Sequence, residues 1–376
     1  MNKKVPHFVV TLICCLVCVV ATAAATLVIG DKGATSDKYL EIIKILQEDS
    51  IGDVEAKELE DSSASAMVAT LNDDWSYYLT DEEYSEYLLD EANQYLGIGV
   101  TTEYNAKYGY LSVTSVTADS PASRAQIEVG NLITTVNNTD VSDFTPDDLK
   151  GYLKSFGDQS FRLGLMNAQG GVRTVELTCQ IIYAPPVTWR MEDNIIGYII
   201  ISNFDTGCCE YLKQAMSDLK DHGARSFLMD IRGNPGGNVE ELAAVLDYLL
   251  PKGDLFICRD RNGKDTVYSS GSDSQNERMV VMINGKTENE AEMFALVMQS
   301  YGAATIVGER TSGNGHSQVV TPLQDGSAIR LSKYTFYSTE RKSLEALGGV
   351  TPDIRSTAIA DSSLDVILEA AKDVVS

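Results

Sequence analysis

Basic side chains and histidines are scarce in this chain of 376 residues: 30 Lys and Arg face 54 Asp and Glu, for a net charge of −24, and only 3 histidines occur. An excess of that sign repels phosphate backbones and anionic surfaces at long range, so nucleic-acid binding is disfavoured. His7, His222 and His316 lie far apart in sequence. Neither they nor the cysteines show metal-ligand spacing, so no metal and no cofactor is expected. Nine prolines and 29 glycines are too few for a fibrous or low-complexity chain. What is present is an ordinary globular composition, 44% hydrophobic and 22% charged, of a length that fits two or three domains.

A long uncharged apolar run occurs once, from Phe8 to Gly30, preceded by Lys3 and Lys4. It is long enough to span a bilayer as a helix, and the basic flank fits a cytoplasmic start. Residues 1–30 are therefore expected to anchor the chain in the cell membrane as a single pass, with the bulk outside the cytoplasm. Ala21-Thr22-Ala23 has the pattern of a cleavage site and keeps a secreted form open. Cys14, Cys15 and Cys18 read there as small apolar residues. For Cys179, Cys208, Cys209 and Cys258 no disulfide framework can be read, and buried free thiols are the default.

Residues 31–93 read as a helical segment, with Tyr39, Ile42, Ile43 and Leu46 on one helix face and a capping-box pattern at Thr80 and Glu83. From Leu96 to about Ile182 short β-type runs alternate with turn signals, among them Leu96–Val100, Tyr110–Val116, Asn131–Val136 and Val172–Leu177. Ser120-Pro121-Ala122 and Thr145-Pro146-Asp147 each open a short helix, with Pro in the first turn. After Ala184-Pro185-Pro186 the texture is βαβ: strands at 195–201, 226–231 and 279–283 alternate with helices at 209–221, 239–250 and 290–301.

The stretch 94–183 resembles a PDZ domain, on Leu96-Gly97-Ile98-Gly99, on Ser120-Pro121-Ala122 continuing to Gly130-Asn131-Leu132-Ile133, and on the Asn137-Asn138 turn. That resemblance implies a β-sandwich-like fold with two helices. It also implies that the backbone of Leu96, Gly97, Ile98 and Gly99 binds a peptide's terminal carboxylate, while the peptide adds as a strand. Asn131 departs from the Asp usual after the Gly.

In the last part, 184–376, Arg232-Gly233-Asn234-Pro235-Gly236-Gly237 links a strand to a helix, a turn that can direct N–H groups toward an anion. No Gly-Lys-Ser/Thr follows, so it does not fit a phosphate-binding P-loop. With Ile283-Asn284-Gly285, Val307–Gly315 and Gly349–Ile354 it resembles, in order and spacing, the carboxyl-terminal processing peptidases, or tail-specific proteases. The resemblance covers about residues 36–356. The fold class expected is thus multi-domain α/β: a helical amino-terminal segment, a PDZ domain and a βαβ peptidase core.

The resemblance implies a serine peptidase with a Ser–Lys dyad, an oxyanion hole of Gly-rich backbone at Gly236 and Gly237, and carboxyl-terminal substrate ends captured by the PDZ domain. After Asn-Gly that family reads Gly-Ser-Ala-Ser-Ala-Ser-Glu, with the middle serine as nucleophile. This chain reads Lys286-Thr287-Glu288-Asn289-Glu290-Ala291-Glu292. The nucleophile falls on Asn289 and the lysine, 25 residues on, falls on Asn314. Gln318 matches a Gln kept beside the family's Lys, and Ser300 a position where some members carry an accessory acid.

An amide nitrogen is neither an activated nucleophile nor a base near neutral pH. Glu288 and Glu290 stand where the family has Ala and put negative charge beside a developing oxyanion. The expectation is a membrane-anchored pseudopeptidase that binds protein C-termini or extended peptides without hydrolysing them, as a homodimer or with an active homologue. The alternative is a working endopeptidase whose nucleophile has moved, with Thr287, Ser300, Ser312, Ser317 and His316 the nearby groups.

Overall fold

The computed structural model describes residues 38–271, 275, 277–357 and 364–375. The apolar run at 8–30 and its three cysteines lie outside them, and no helix among the described residues is long and apolar enough to cross a membrane. The chain divides at Thr80/Asp81 into two compact units. In the first, helices cover 38–49 and Ala56–Ala69, and the Tyr78 hydroxyl donates to Asp61 at 2.6 Å.

The second unit opens with helix α1 (Asp81–Glu91), three acidic residues in its first turn favouring the positive end of the helix dipole. The PDZ part follows. Strands β2 (Val100–Asn105), β3 (Tyr110–Val116), β4 (Leu132–Val136), β5 (Phe161–Met166) and β6 (Val172–Leu177) form an antiparallel sheet in that order. Strand β1 (Gln94–Gly97) pairs separately with β7 (Gln180–Tyr183). The run Leu96–Val100 is therefore two strands rather than one, because Gly99 at φ +83° turns the chain between them. Helix α2 (Pro121–Arg124) is capped by the Ser120 hydroxyl, and α3 (Pro146–Lys154) by a full capping box of Thr145 and Asp148. Leu111, Ile133, Val136, Leu149, Leu163 and Leu165 are among the residues of its core.

In the last part six strands lie in the order β8 (Val187–Glu192), β9 (Ile196–Ile201), β10 (Ser226–Asp230), β13 (Arg278–Ile283), β14 (Ala304–Gly308), β17 (Ile354–Arg355). Every pair but β8/β9 is parallel, as right-handed βαβ crossovers require. Period-2 alternation splits the strand residues between two faces. Ile199, Phe227, Met229, Val281 and Ile283 meet α4 (Cys208–Asp221), α5 (Val239–Leu249) and α6 (Glu290–Ser300). Tyr198, Leu228, Val280 and Met282 meet α7 (Val366–Val375). The sequence reading placed β9, β10, β13, α4, α5 and α6 to within a residue or two and did not name β8, β14, β17 or α7. It did not name the antiparallel strands β11 (Gly253–Asp260), β12 (Asp265–Ser270), β15 (His316–Pro322) and β16 (Ala328–Tyr337), which form a further sheet. Cys179, Cys208, Cys209 and Cys258 are all free and buried.

Candidate functional site

Two turns at the carboxyl ends of the parallel strands converge, the crevice where open α/β sheets place their sites. After β10, Ile231–Asn238 is held by Asn234, whose side chain donates to Ile201 O at 2.9 Å and accepts from the Gly236 N–H at 2.8 Å. After β13, Asn284–Asn289 leads into α6. The Thr287 hydroxyl, fully buried, donates to Ile231 O at 3.1 Å and accepts the Asn284 N–H at 3.1 Å. The Glu288 N–H donates to Asn234 O at 3.0 Å, which fastens the two turns together.

Asn289 stands at the start of α6 with φ 53° and ψ −120°, a conformation that L residues avoid and that costs on the order of 1–3 kcal/mol. A sharp, strained strand-to-helix turn of this kind presents the nucleophile in several hydrolase folds. Here it presents a carboxamide. The Asn289 Nδ2 donates to Pro235 O at 2.8 Å, and its Oδ1 accepts a hydrogen bond from Asn314 Nδ2. Asn289 is 2% exposed and Asn314 is fully buried, so each amide spends its polar atoms on the protein. The Asn314 Oδ1 accepts the His316 N–H at 3.3 Å.

The N–H groups of Gly236 and Gly237 are engaged from within as well. That of Gly236 goes to Asn234, and that of Gly237 donates to the Glu290 carboxylate at 3.1 Å. Glu290 is buried, and its other oxygen accepts the Ser317 hydroxyl at 2.9 Å. Burial pushes its carboxyl above the ordinary range, while hydrogen bonds from its own N–H, from Ser317 and from Gly237 pull the other way. Glu290 thus folds back over the start of α6, and its carboxylate rests where two N–H groups point.

Glu292, one turn into the same helix, ties down the loop carrying Asn314. Its carboxylate accepts the Gly313 N–H at 2.7 Å, the Ser312 hydroxyl at 3.0 Å, the Asn289 N–H at 3.2 Å and the Thr311 hydroxyl. Asp205, the third acid of the site, stands beside Gly237. Burial raises its pKa to about 7, helped by the charges of Glu91, Glu290 and Asp90 and opposed by Arg330.

Sequence reasoning had named Asn289, Asn314, Gly236 and Gly237, and these four come together. Ser300 and Gln318 do not join them. Ser300 sits at the far end of α6, about 16 Å along the helix from Asn289, with its hydroxyl on Val297 O at 2.9 Å. Gln318 turns across the β15/β16 pair, donating to Ser332 Oγ at 3.2 Å and accepting from Arg330 at 3.1 Å. Ser312 and Ser317 serve as ligands of Glu292 and Glu290, and His316 faces Glu345 at 3.8 Å. The parts sequence did not reveal are the Glu292 hub, Asp205 and the fold-back of Glu290.

The Leu96–Gly99 loop lies at one end of a groove of about 400 Å³ between β2 and α3. Among the described residues the N–H groups of Ile98 and Gly99 have no hydrogen-bond partner, while their carbonyls accept from Ala122 and Thr117 at 2.9 Å.

An open parallel sheet with Gly-rich turns at its carboxyl edge, preceded by a PDZ fold, defines an α/β peptidase-like architecture. Residues 195–356 match the model of peptidase family S41 and residues 88–165 that of the PDZ domain. The chain thus carries a peptidase S41 domain preceded by a PDZ domain. The carboxyl-terminal-processing protease of Synechocystis is 25% identical over 82% of this chain and 75% of its own length. The carboxy-terminal processing protease CtpA of Bacillus subtilis is 24% identical over 95% of this chain and 78% of its own. The crystal structure of a putative S41 protease from Bacteroides fragilis shares the fold, with a TM-score of 0.58 at 15% identity over 89% of this chain and 96% of that one.

Proposed function

We propose that this chain is a pseudopeptidase that holds protein C-termini or extended peptides in its PDZ groove without cutting them. One observation carries the reading: where an S41 peptidase would set a hydroxyl against an amine, Asn289 and Asn314 are hydrogen-bonded to each other, buried and unable to pass a proton. The Glu290 carboxylate on the Gly237 N–H supports it, because a donor already bound to an anion is lost to a developing oxyanion. The test is fluorophosphonate labelling together with incubation with unstructured protein substrates. Neither covalent label nor cleavage products are expected from the unmodified chain, and products from a preparation free of other hydrolases would overturn the reading.

A second reading rests on the hydroxyl-to-carboxylate pair of Ser317 and Glu290, 2.9 Å apart, as a relocated nucleophile and base. Ser317 is 3% exposed and hydrogen-bonded inward, which disfavours attack on a bound peptide. Label or activity abolished by Ser317→Ala would favour it.

The proposal extends to place and company. The uncharged run at 8–30 behind Lys3 and Lys4 supports a single-pass anchor in the cell membrane with the bulk of the chain outside the cytoplasm. A peptide-holding module without hydrolysis suits a homodimer or an assembly with an active homologue, where it would shield or present a client. Membrane fractionation and chemical crosslinking in cells test these two points. Recovery of the chain only in the soluble fraction, or only as a monomer, would count against them.

A further inference from the structure

We infer that Lys150 is the counter-charge that makes the PDZ groove select a free terminal carboxylate over a continuing or amidated chain. The inference rests on the peptide-holding role proposed above and assigns its specificity to one residue. The groove floor is apolar, with Ile98, Leu149 and Leu153 each at most 4% exposed, and suits an aliphatic last side chain. Tyr95, Thr101, Thr102, Thr117 and Asp147 add polar side chains to its lining. The unpartnered N–H groups of Ile98 and Gly99 supply two donors, and Lys150 supplies the only cation lining the groove among the described residues.

Lys150 stands one turn before Leu153 on the face of α3 that lines the groove. It also lines the adjoining cleft of about 380 Å³ with Tyr95 and Ala184, which both cavities share. Lys150 therefore borders both the groove and the cleft into which a peptide continuing past the loop would run, toward Asn203 and Pro235. Lys154, one turn on, pairs with Glu86 at 3.0 Å, whereas Lys150 makes no ion pair among the described residues. The opposing acids nearby are Asp147 on the groove and Asp90 and Asp205 in the cleft. On a chain of net charge −24, an anionic ligand is repelled unless a local cation offsets the field. Lys150, exposed and without an ion pair among the described residues, is the cation lining the groove that can do so.

The experiment uses the full chain and a fluorescein-labelled decapeptide ending in Ala-Val-Val, made as the free acid and as the carboxamide, with affinities from fluorescence polarisation. Wild type is expected to bind the acid at least tenfold more tightly than the amide. Lys150→Met, which keeps the apolar stem, should cut that ratio at least fivefold by weakening the acid more than the amide, and Lys150→Arg should restore it. Raising the salt concentration should lower the ratio in wild type and not in Lys150→Met. An acid-to-amide ratio that Lys150→Met leaves untouched overturns the inference and spares the peptide-holding reading. Wild type that binds neither peptide overturns both.

Discussion

Glu290 lays its carboxylate on the Gly237 N–H at 3.1 Å across 53 residues of sequence, so the acceptor that fills this donor comes from the chain itself. The relationship changes what restoration of the site requires. Returning Ser to 289 and Lys to 314 would rebuild a nucleophile and a base while the anion position stayed taken. The double variant Asn289→Ser/Asn314→Lys is therefore expected to hydrolyse peptides weakly or not at all. Adding Glu290→Ala should raise kcat at least about 100-fold over the double variant, the scale of one oxyanion-hole donor. Equal rates in the double and triple variants would show that the Glu290 contact does not block the site.

Asp205 gives the site a pH signature. Its folded pKa of about 7 lies above the ordinary 3.8, so the native state holds the proton more tightly than the unfolded chain does. Its contribution is most favourable below about pH 4 and is lost as the pH rises from there through about 7. The groups that face it are Glu91, Glu290 and Asp90 on the acidic side and Arg330 on the basic. Asp205→Asn should flatten the fall in Tm between pH 5 and pH 8 seen in wild type, read by scanning fluorimetry. A fall of the same size in both proteins would remove Asp205 from the account.

Gly236 is at φ +101°, and a Cβ there would lie 2.5 Å from Glu290 Oε2 and 2.7 Å from Asn289 Cβ. Gly130 is at φ +86°, and a Cβ there would meet nothing within 4 Å, so substitution brings only backbone strain. Gly236→Ala should cost about 2–4 kcal/mol and Gly130→Ala about 1 kcal/mol, measured by urea denaturation. Similar losses at both positions would mean that Glu290 and Asn289 give way and do not pack against Gly236.

The contrast between what the residues announced and what they hid has a physical basis. Strands β9, β10 and β13 are buried on both faces and read as apolar runs, and the amphipathic α4 repeats every 3.6 residues, so both surfaced from periodicity. The strands β12 and β16 are half-buried and carry polar residues on both faces, Asp265, Thr266, Ser269 and Ser270 in one and Arg330, Ser332, Lys333 and Thr335 in the other, and the alternation fades. In the site, the pair Asn289 and Asn314 was legible through the resemblance to the processing peptidases, whose Ser and Lys positions fall on these two residues. The direction of the Glu290 side chain was not, since it depends on a rotamer and on Gly237 and Ser317, which come from two other segments. Gln318 matched by position alone, and Arg330 and Ser332 on the neighbouring strand set where it turns.

Glu292 is expected to be the residue whose loss the scaffold tolerates least. Its carboxylate is completely buried and accepts from two backbone N–H groups and two hydroxyls that hold the 311–314 loop against α6. Burial raises its pKa, and those four donors oppose the shift by favouring the charged form. Glu292→Gln keeps the shape but turns one oxygen into an NH2 that faces donors, leaving at least one of them without an acceptor in a dry interior. Each such group costs about 1–3 kcal/mol. The substitution should lower stability by at least about 2 kcal/mol by urea denaturation, whereas Glu288→Gln, half-buried in the same turn, should stay within about 0.5 kcal/mol. Acid–amide peptide discrimination by the PDZ groove should survive in Glu292→Gln below its unfolding midpoint, because the hub braces the core and has no contact with the groove. A stable Glu292→Gln would mean that the loop bearing Asn314 is held by its backbone turns alone.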